Sequence, residues 1–427
     1  MPEKIIRDPI HDVIAFRTER KADALLFRLV NSAEVQRLRR IRQLGMASLA
    51  YPAAEHSRYS HSLGVMQTAR RMLAQLRLSA PIDDDEELAC VAASLLHDLG
   101  HGPLSHVFER VSGIDHEKLT RRIILDEDGE AHRILASDDP ALPARVAALL
   151  QNESGAGRDF LRDILSSQLD ADRLDYLLRD NLMTGSRYGN YDLEWLIHSL
   201  TVDGKSGRLA VTWKGVSAVE AYLQARYHMY HNVYFHKVVR AAEGMVKLSL
   251  QRAKRLMAQD RLAWPPRDHP VHKALTGQRL TIEEYVDLDD YSVMHSLKLW
   301  TRSDDAPLAA LCRGLLNRSL FKTFDLSHLS ESDAACAFIR AQNAVVAAGG
   351  DGTYDLFYDD PHDAPDAFSM PSQADQSTGE ILIQDTGGRL TPLTRLSPLP
   401  LAMNRQLMFR RIHIAPAWRD ICERAIR

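Results

Sequence analysis

Residues 88–110, LACVAASLLHDLGHGPLSHVFER, constrain the fold more than any other stretch of the chain. Leu88, Val91, Ala92, Leu95, Leu96 and Leu99 recur at i, i+3, i+4, i+7, i+8 and i+11, the apolar stripe of a helix that faces a core. That helix delivers two polar neighbours, His97 and Asp98, to the end of a run whose preceding eight residues are all small or apolar. A carboxylate buried beside an imidazole is costly unless something compensates its charge, and a cation does so most simply. Gly100 and Gly102-Pro103 end the helix, and His101 and His106 follow within nine residues of His97. Four polar groups therefore crowd one helix end.

With 427 residues the chain is long enough for two or three compact units. Its net charge of -4 gives no global basic field, so any nucleic-acid contact would need a local patch. Cys90, Cys312, Cys336 and Cys422 are far apart with no CxxC spacing, as expected of thiols in a reducing compartment. The N-terminus, MPEKIIRDPI, lacks the apolar stretch of a secretory signal, and no run is long enough to span a bilayer. A cytoplasmic protein with no membrane partner is expected.

Residues 4–16 mix β-branched residues around Pro9 and read as a short strand pair or an extended arm. They hold a second His-Asp pair, His11-Asp12, which reads as a capped turn and not as a metal site. Residues 24–44 show a helical pattern with Arg37, Arg39, Arg40 and Arg42 among Leu38, Ile41 and Leu44, a cationic face for solvent or for phosphate. His61 opens a helix with Leu63, Met66, Ala69, Leu73 and Leu76 as its apolar face and Arg58 just upstream. A histidine at a helix N-terminus is disfavoured as a cation and tends to the neutral form that binds metal. Further on, Asp172, Tyr176 and Asp180 share one helix face at i, i+4 and i+8, while Leu174, Leu177 and Leu178 take the other.

Residues 200–214 alternate around Gly-Lys-Ser-Gly as a hairpin, and the spacing of a phosphate-binding GxxxxGK[ST] loop is absent. A long helix is expected from Val216 to Met257, with Arg226, Tyr230 and Tyr234 on one face, then further helices to 345. Residues 349–379 read as a flexible loop, followed by short strands in EILIQD, LTPLTRL and RRIHIA, with YDLFYDD as a further one. The expected architecture is mainly α, a helical bundle with a small C-terminal α+β lobe. The expected units are an arm at 1–22, a core at 23–200, a hairpin and helical extension at 201–345, and the lobe at 346–427.

His61, His97, Asp98 and Asp172 offer two imidazoles and two carboxylates from three helices. An N2O2 set with open positions suits a divalent Mn, Fe, Ni, Zn or Mg ion better than a closed structural zinc, which usually has thiolates. His106 and Glu109 stand at i, i+3, so the carboxylate can fix the imidazole tautomer and keep the ring protonated as a general acid. His101 and His116 would add donors, and Arg58, Arg173 and Arg226 the cations that a polyphosphate demands.

The runs DPIH, QRLRRIRQLG, RYSHSLGV, HDLGHGPLSH and LDADRLDYLLRD, in this order, resemble the HD-domain deoxynucleoside triphosphate triphosphohydrolases. The likeness is strongest to the branch whose animal member carries a fused SAM domain, which is not found here. It covers roughly residues 4 to 250 and is loose beyond. The resemblance implies that His61, His97, Asp98 and Asp172 hold the metal and that His101, His106, Glu109 and His116 form the catalytic cluster. Arg58, Arg173 and Arg226 would hold the phosphates, and Gln43 and Asp180 the sugar 3'-hydroxyl. Leu44 joins the substrate-binding set, and Tyr176 and Tyr234 would pack on the sugar and exclude a 2'-hydroxyl. Glu109 stands where the family often has Asp, and Arg173 where the animal enzyme has lysine. The implied reaction releases the deoxynucleoside and intact triphosphate.

Relatives of this kind assemble as dimers or tetramers with nucleotide activators between subunits, and Gln36 and Arg39 match that pattern. Arg7 and Asn31 replace the residues that recognise guanine in the animal enzyme, so a guanine-specific activator is not implied. Two alternatives compete. One is another HD-type phosphohydrolase, acting on a nucleotide monophosphate, an alarmone, a cyclic dinucleotide or single-stranded nucleic-acid ends. The other is a protein that binds single-stranded nucleic acid through the arginine-rich helix and the C-terminal lobe, with a structural metal. The His106–Glu109 pair argues against the latter, since a structural site has no use for a proton donor.

Overall fold

The computed structural model describes residues 3–151, 158–360, 380–403 and 409–426. Helices dominate, and the expected mainly α architecture is what they build. At its centre the helices Arg58–Leu76 and Asp84–Leu96 lie against each other. The second begins with a capping box: Asp83 accepts from the backbone of Glu86, whose side chain accepts from the backbone of Asp83. Its residues Cys90, Ala92, Ala93, Leu95 and Leu96 are fully buried, so the apolar periodicity does face the core.

The helix Ala171–Thr184, capped by Asp170, packs on Arg58–Leu76 at closest range beside Gly64. A Cβ at position 64 would sit 1.9 Å from Asp175 Oδ1 and 2.2 Å from an Arg179 nitrogen, so glycine sets how near the two helices come. At the front, β1 (Glu3–Asp8) and β2 (Asp12–Arg17) form an antiparallel hairpin with Asp8 opposite Asp12.

Several features depart from expectation. Residues 24–44 are not one helix: Lys21–Val30 ends at Asn31, Ala33–Arg37 follows, and a single 3-10 turn, Leu38–Arg40, leads into loop. Arg37, expected on a cationic outer face, is 1% exposed. The long helix is also broken. Val216–Met229 passes into a π turn, Tyr230–Tyr234, and a new helix, Lys237–Met257, starts after His236 accepts from the backbone N–H of Val238. A turn of that kind re-aims the side chains it carries.

The other strands among the described residues divide between two further sheets. The hairpin β3 (Leu200–Val202) and β4 (Leu209–Thr212) is extended by β7 (Leu382–Gln384), parallel to β4, and by β8 (Leu390–Pro392). The C-terminal lobe has its own core and sheet, in which β9 (Arg411–Ile414) lies between β5 (Lys322–Asp325) and β6 (Leu356–Asp359). The helices Glu331–Ala347 and Arg419–Ile426 complete that lobe. Thus β5 comes from a stretch expected to hold helices and polar loops, and β7 and β8 belong to the hairpin's sheet instead of the lobe. The strand expected in YDLFYDD is present at Leu356–Asp359, and residues 361–379 of the expected loop lie outside the described residues. Among the described residues, no helix is long and apolar enough to cross a membrane.

Candidate active site

His61 in the first turns of Arg58–Leu76, His97 and Asp98 after Asp84–Leu96, and Asp172 in the first turn of Ala171–Thr184 converge. His61 Nε2 is 2.9 Å from Asp172 Oδ1 and 3.9 Å from Asp98 Oδ2. His97 Nε2 is 3.3 Å from Asp98 Oδ1 and 3.8 Å from Asp172 Oδ1. The opposite nitrogens are committed elsewhere: His97 Nδ1 donates to the Ser94 carbonyl at 2.8 Å, and His61 Nδ1 to Asp175 at 2.9 Å. Both Nε2 atoms thus turn towards the carboxylates, and His97 Nε2 is buried with no hydrogen-bond partner among the described residues.

Lone pairs and carboxylates in such proximity repel unless positive charge lies between them. Burial works against a charged His61, yet the hydrogen bonds and charges of Asp172 and Asp175 outweigh it and raise the imidazole to about 10. A proton held there marks the place of a cation. The orphaned His97 nitrogen and the N2O2 donor chemistry both fit a divalent metal.

A second cluster abuts the first through Asp98, whose Oδ1 is 3.3 Å from His101 Nε2 as well as from His97. The rings of His101 and His116 stack at 4.0 Å, and His106 lies 5.0 and 5.4 Å from them. Glu109 links the group. It accepts from the His116 backbone at 3.2 Å, from His116 Nδ1 at 3.0 Å and, less closely, from His106 Nδ1 at 3.3 Å. Burial opposes ionisation of Glu109, but the two imidazoles prevail and hold its carboxyl far below the usual range. Burial likewise disfavours a charged His116, and Glu109 reverses this, raising that imidazole. His101, buried and near Arg58, is held well below the usual histidine range. The cluster therefore combines an anionic carboxylate, a neutral ring and a ring that keeps its proton.

The turn that joins these groups is strained and braced. Leu104 and Ser105 have φ of +53° and +54°, in the region that side chains disfavour. Asp290 Oδ1 accepts from the Leu104 N–H at 2.7 Å, and Arg37 donates to the carbonyls of Leu99 and His101 at 3.2 and 2.9 Å. Neither brace has a local sequence signal: Asp290 is 186 positions from Leu104, and the spacing around Arg37 is that of a cationic face for solvent or phosphate.

Among the candidate phosphate-binding arginines, Arg58 donates to Asp98 Oδ2 at 2.6 Å and to Ser105 Oγ at 2.9 Å. Arg173 pairs with Asp170, which caps its own helix, and Arg226, 2% exposed, donates to Gln168 Oε1 at 2.7 Å. On the candidate sugar side, the Tyr234 hydroxyl donates to Asp180 Oδ2 at 2.8 Å, and the rings of Tyr176 and Tyr234 lie 6.2 Å apart. The other Asp180 oxygen lies 2.7 Å from His56 Nε2, a residue that sequence reasoning missed although it stands two places before Arg58. Gln43 donates its backbone N–H to the His56 carbonyl, and its Oε1 is buried without a partner among the described residues. Leu44 is partly buried against Ala47, Ala54 and Val239. Gln36 and Arg39 bond each other at 2.8 Å, with the Arg39 guanidinium 3.6 Å above the Tyr59 ring.

Comparison with known proteins gives concordant matches. The family model described as HD domain matches residues 58–180, and that of the HD associated region matches 191–263. An uncharacterized protein of Bacillus subtilis, YwfO, is 37% identical over 399 residues, covering 93% of this chain and 88% of its own. The crystal structure of a phosphohydrolase from Bacteroides thetaiotaomicron superposes with a TM-score of 0.81 at 29% identity, over 97% of this chain and 100% of the other. The deoxynucleoside triphosphate triphosphohydrolase SAMHD1 of Gallus gallus is 29% identical over 285 residues, covering 58% of this chain and 45% of that enzyme.

Proposed function

The chain belongs to the HD-domain family of phosphohydrolases, and from that premise we propose that it is a metal-dependent deoxynucleoside triphosphate triphosphohydrolase. The observation that carries this reading is the sharing of Asp98 between a cation-ready donor set and an imidazole–carboxylate cluster. One half suits a phosphoryl oxygen and the other a proton. The similarity to SAMHD1 supports the choice of substrate class, as does the wall of Asp180, Tyr234, His56 and Gln43.

His61, His97, Asp98 and Asp172 would hold a divalent Mn, Fe, Ni, Zn or Mg ion. Such an ion supplies Lewis-acid polarisation of the phosphoryl group and lowers the pKa of water at the site to about 7. Arg58, Arg173 and Arg226 bind the phosphates. Tyr176 and Tyr234 seat the deoxyribose, and Gln43, with its unpaired Oε1, accepts from a sugar hydroxyl while Asp180 orients it. Water attacks the α-phosphorus, the bond from phosphorus to O5' breaks, and His106 gives its proton to the leaving O5'. Glu109 fixes the His106 ring through Nδ1, while His101 and His116 donate to phosphate oxygens. Gln36 and Arg39 form a nucleotide activator contact in a homo-oligomer.

Incubation of the metal-supplemented protein with each of the four deoxynucleoside triphosphates, singly and mixed, tests this, with products resolved by anion exchange. Triphosphate and deoxynucleoside should appear and be absent with Asp172→Ala. Activity confined to mixtures would implicate the activator contact. No turnover with any of the five metals would overturn the reading.

A further inference from the structure

We propose that His11 is a positioning residue for the metal ligand His61, so that the N-terminal hairpin completes the metal centre. The inference rests on the reading of His61, His97, Asp98 and Asp172 as a cation site. The capped turn expected at His11-Asp12 is present: Asp8 Oδ1 accepts from the backbone N–H groups of Ile10 and His11 at 2.9 and 3.0 Å, and Asp12 has φ of +56°. A histidine in such a turn would ordinarily reach solvent. This one points inward.

The His11 side chain is 1% exposed, and its Nε2 lies 3.0 Å from Asp175 Oδ1. Asp175 is fully buried and is the partner of His61 Nδ1 at 2.9 Å through its other oxygen. Arg179 donates to both Asp175 oxygens at 2.8 Å and reaches back to Asp8 at 2.8 and 3.2 Å. Two residues of the hairpin therefore meet one buried carboxylate and its counterion. A carboxylate offers about four lone-pair sites, and the donors from His11, His61 and Arg179 fill them.

The geometry has a chemical consequence. An ionised Asp175 that accepts from Nδ1–H fixes the His61 tautomer and leaves Nε2 as the ligand atom, the pattern of outer carboxylates around metal-bound histidine. His11 and Arg179 share Oδ1, while His61 and Arg179 share Oδ2, so loss of the His11 donor leaves Oδ1 under-satisfied and the carboxylate freer to turn. The absence of a side chain at Gly64 on the opposite helix leaves room for that same oxygen, since a Cβ there would stand 1.9 Å from Asp175 Oδ1. The buried His11 Nδ1 has no partner among the described residues. An unpaired buried nitrogen is costly, and a hairpin turn alone gives no reason to keep one.

The test compares the full-length protein with His11→Leu, which keeps bulk without a donor, and His11→Gln, which keeps a donor. Manganese affinity is measured by competition against a graded chelator, and the metal-free proteins are compared by circular dichroism. His11→Leu should bind Mn2+ about 10- to 100-fold more weakly with an unchanged metal-free spectrum. With saturating Mn2+ its turnover should recover at a nearly constant KM, and His11→Gln should regain most of the affinity. Should His11→Leu fail to fold, His11→Ala carries the same expectation. Equal Mn2+ affinity in wild type and either donor-free variant would overturn the proposal. Failure of the cation reading looks different: the wild type itself would then bind Mn2+ no better than Asp172→Ala.

Discussion

Asp98 is the residue at which the two halves of the site meet, touching His97, His101 and Arg58 within 3.3 Å. Arg58, His97 and His101 overcome the effect of burial and hold it ionised, well below the usual carboxylate range. Glu109 plays the corresponding part for His116. Glu109→Gln should lower kcat by about 10²- to 10⁴-fold while leaving bound Mn2+ unchanged. Because Glu109 raises His116, its neutralisation lowers that imidazole, and the alkaline limb of the pH–kcat profile should move to lower pH. An unmoved limb would exclude the pairing. The convergence of His61, His97, Asp98 and Asp172 was legible in sequence because these residue types sit at helix ends. His11 and His56 were not: their partners, Asp175 and Asp180, lie 164 and 124 positions away, and local pattern reports only local partners.

The element on which the chemistry depends is the turn between the helices Asp84–Leu96 and His106–Ser112. Its two adjacent left-handed residues cost on the order of 1–3 kcal/mol each and persist because Asp290 and Arg37 hold the backbone. Asp290→Ala strands the buried N–H of Leu104 and removes the partner of the part-buried Arg42 N–H, so urea denaturation should show a loss of about 1–3 kcal/mol. An unchanged midpoint would show that the turn needs no such brace. Helix boundaries were less readable than helix existence. Apolar spacing runs on through Asn31-Ser32 and through Tyr230–Tyr234, although the first is a helix end and the second a π turn.

In the C-terminal lobe, burial opposes an ionised Asp359, and the hydrogen bond from His413 and the charge of Arg240 prevail and hold its carboxyl below the ordinary range. A depressed carboxyl contributes stability above its unfolded pKa of about 4, and the contribution is lost as pH falls through the folded value. The stability gap between wild type and Asp359→Asn, by thermal melting, should therefore narrow as pH drops below about 4. A gap constant from pH 7 to pH 3 would refute this.

For the whole molecule, the site draws on most of the chain. Asp8 and His11 support it from the front, Asp290 and Arg37 from behind, and Tyr234 closes it from the extension. The HD match at 58–180 thus marks where the ligands lie but not everything that holds them. The mainly α class followed from helical periodicity, whereas the pairing of β7 with β4 joins segments about 170 positions apart and leaves no local trace. The central claim is hydrolysis at the α-phosphorus of a deoxynucleoside triphosphate. Mass spectrometry of the products formed in 18O-labelled water tests it most directly. One 18O in inorganic triphosphate beside unlabelled deoxynucleoside is the predicted result. Label in orthophosphate or in a nucleoside monophosphate would contradict it.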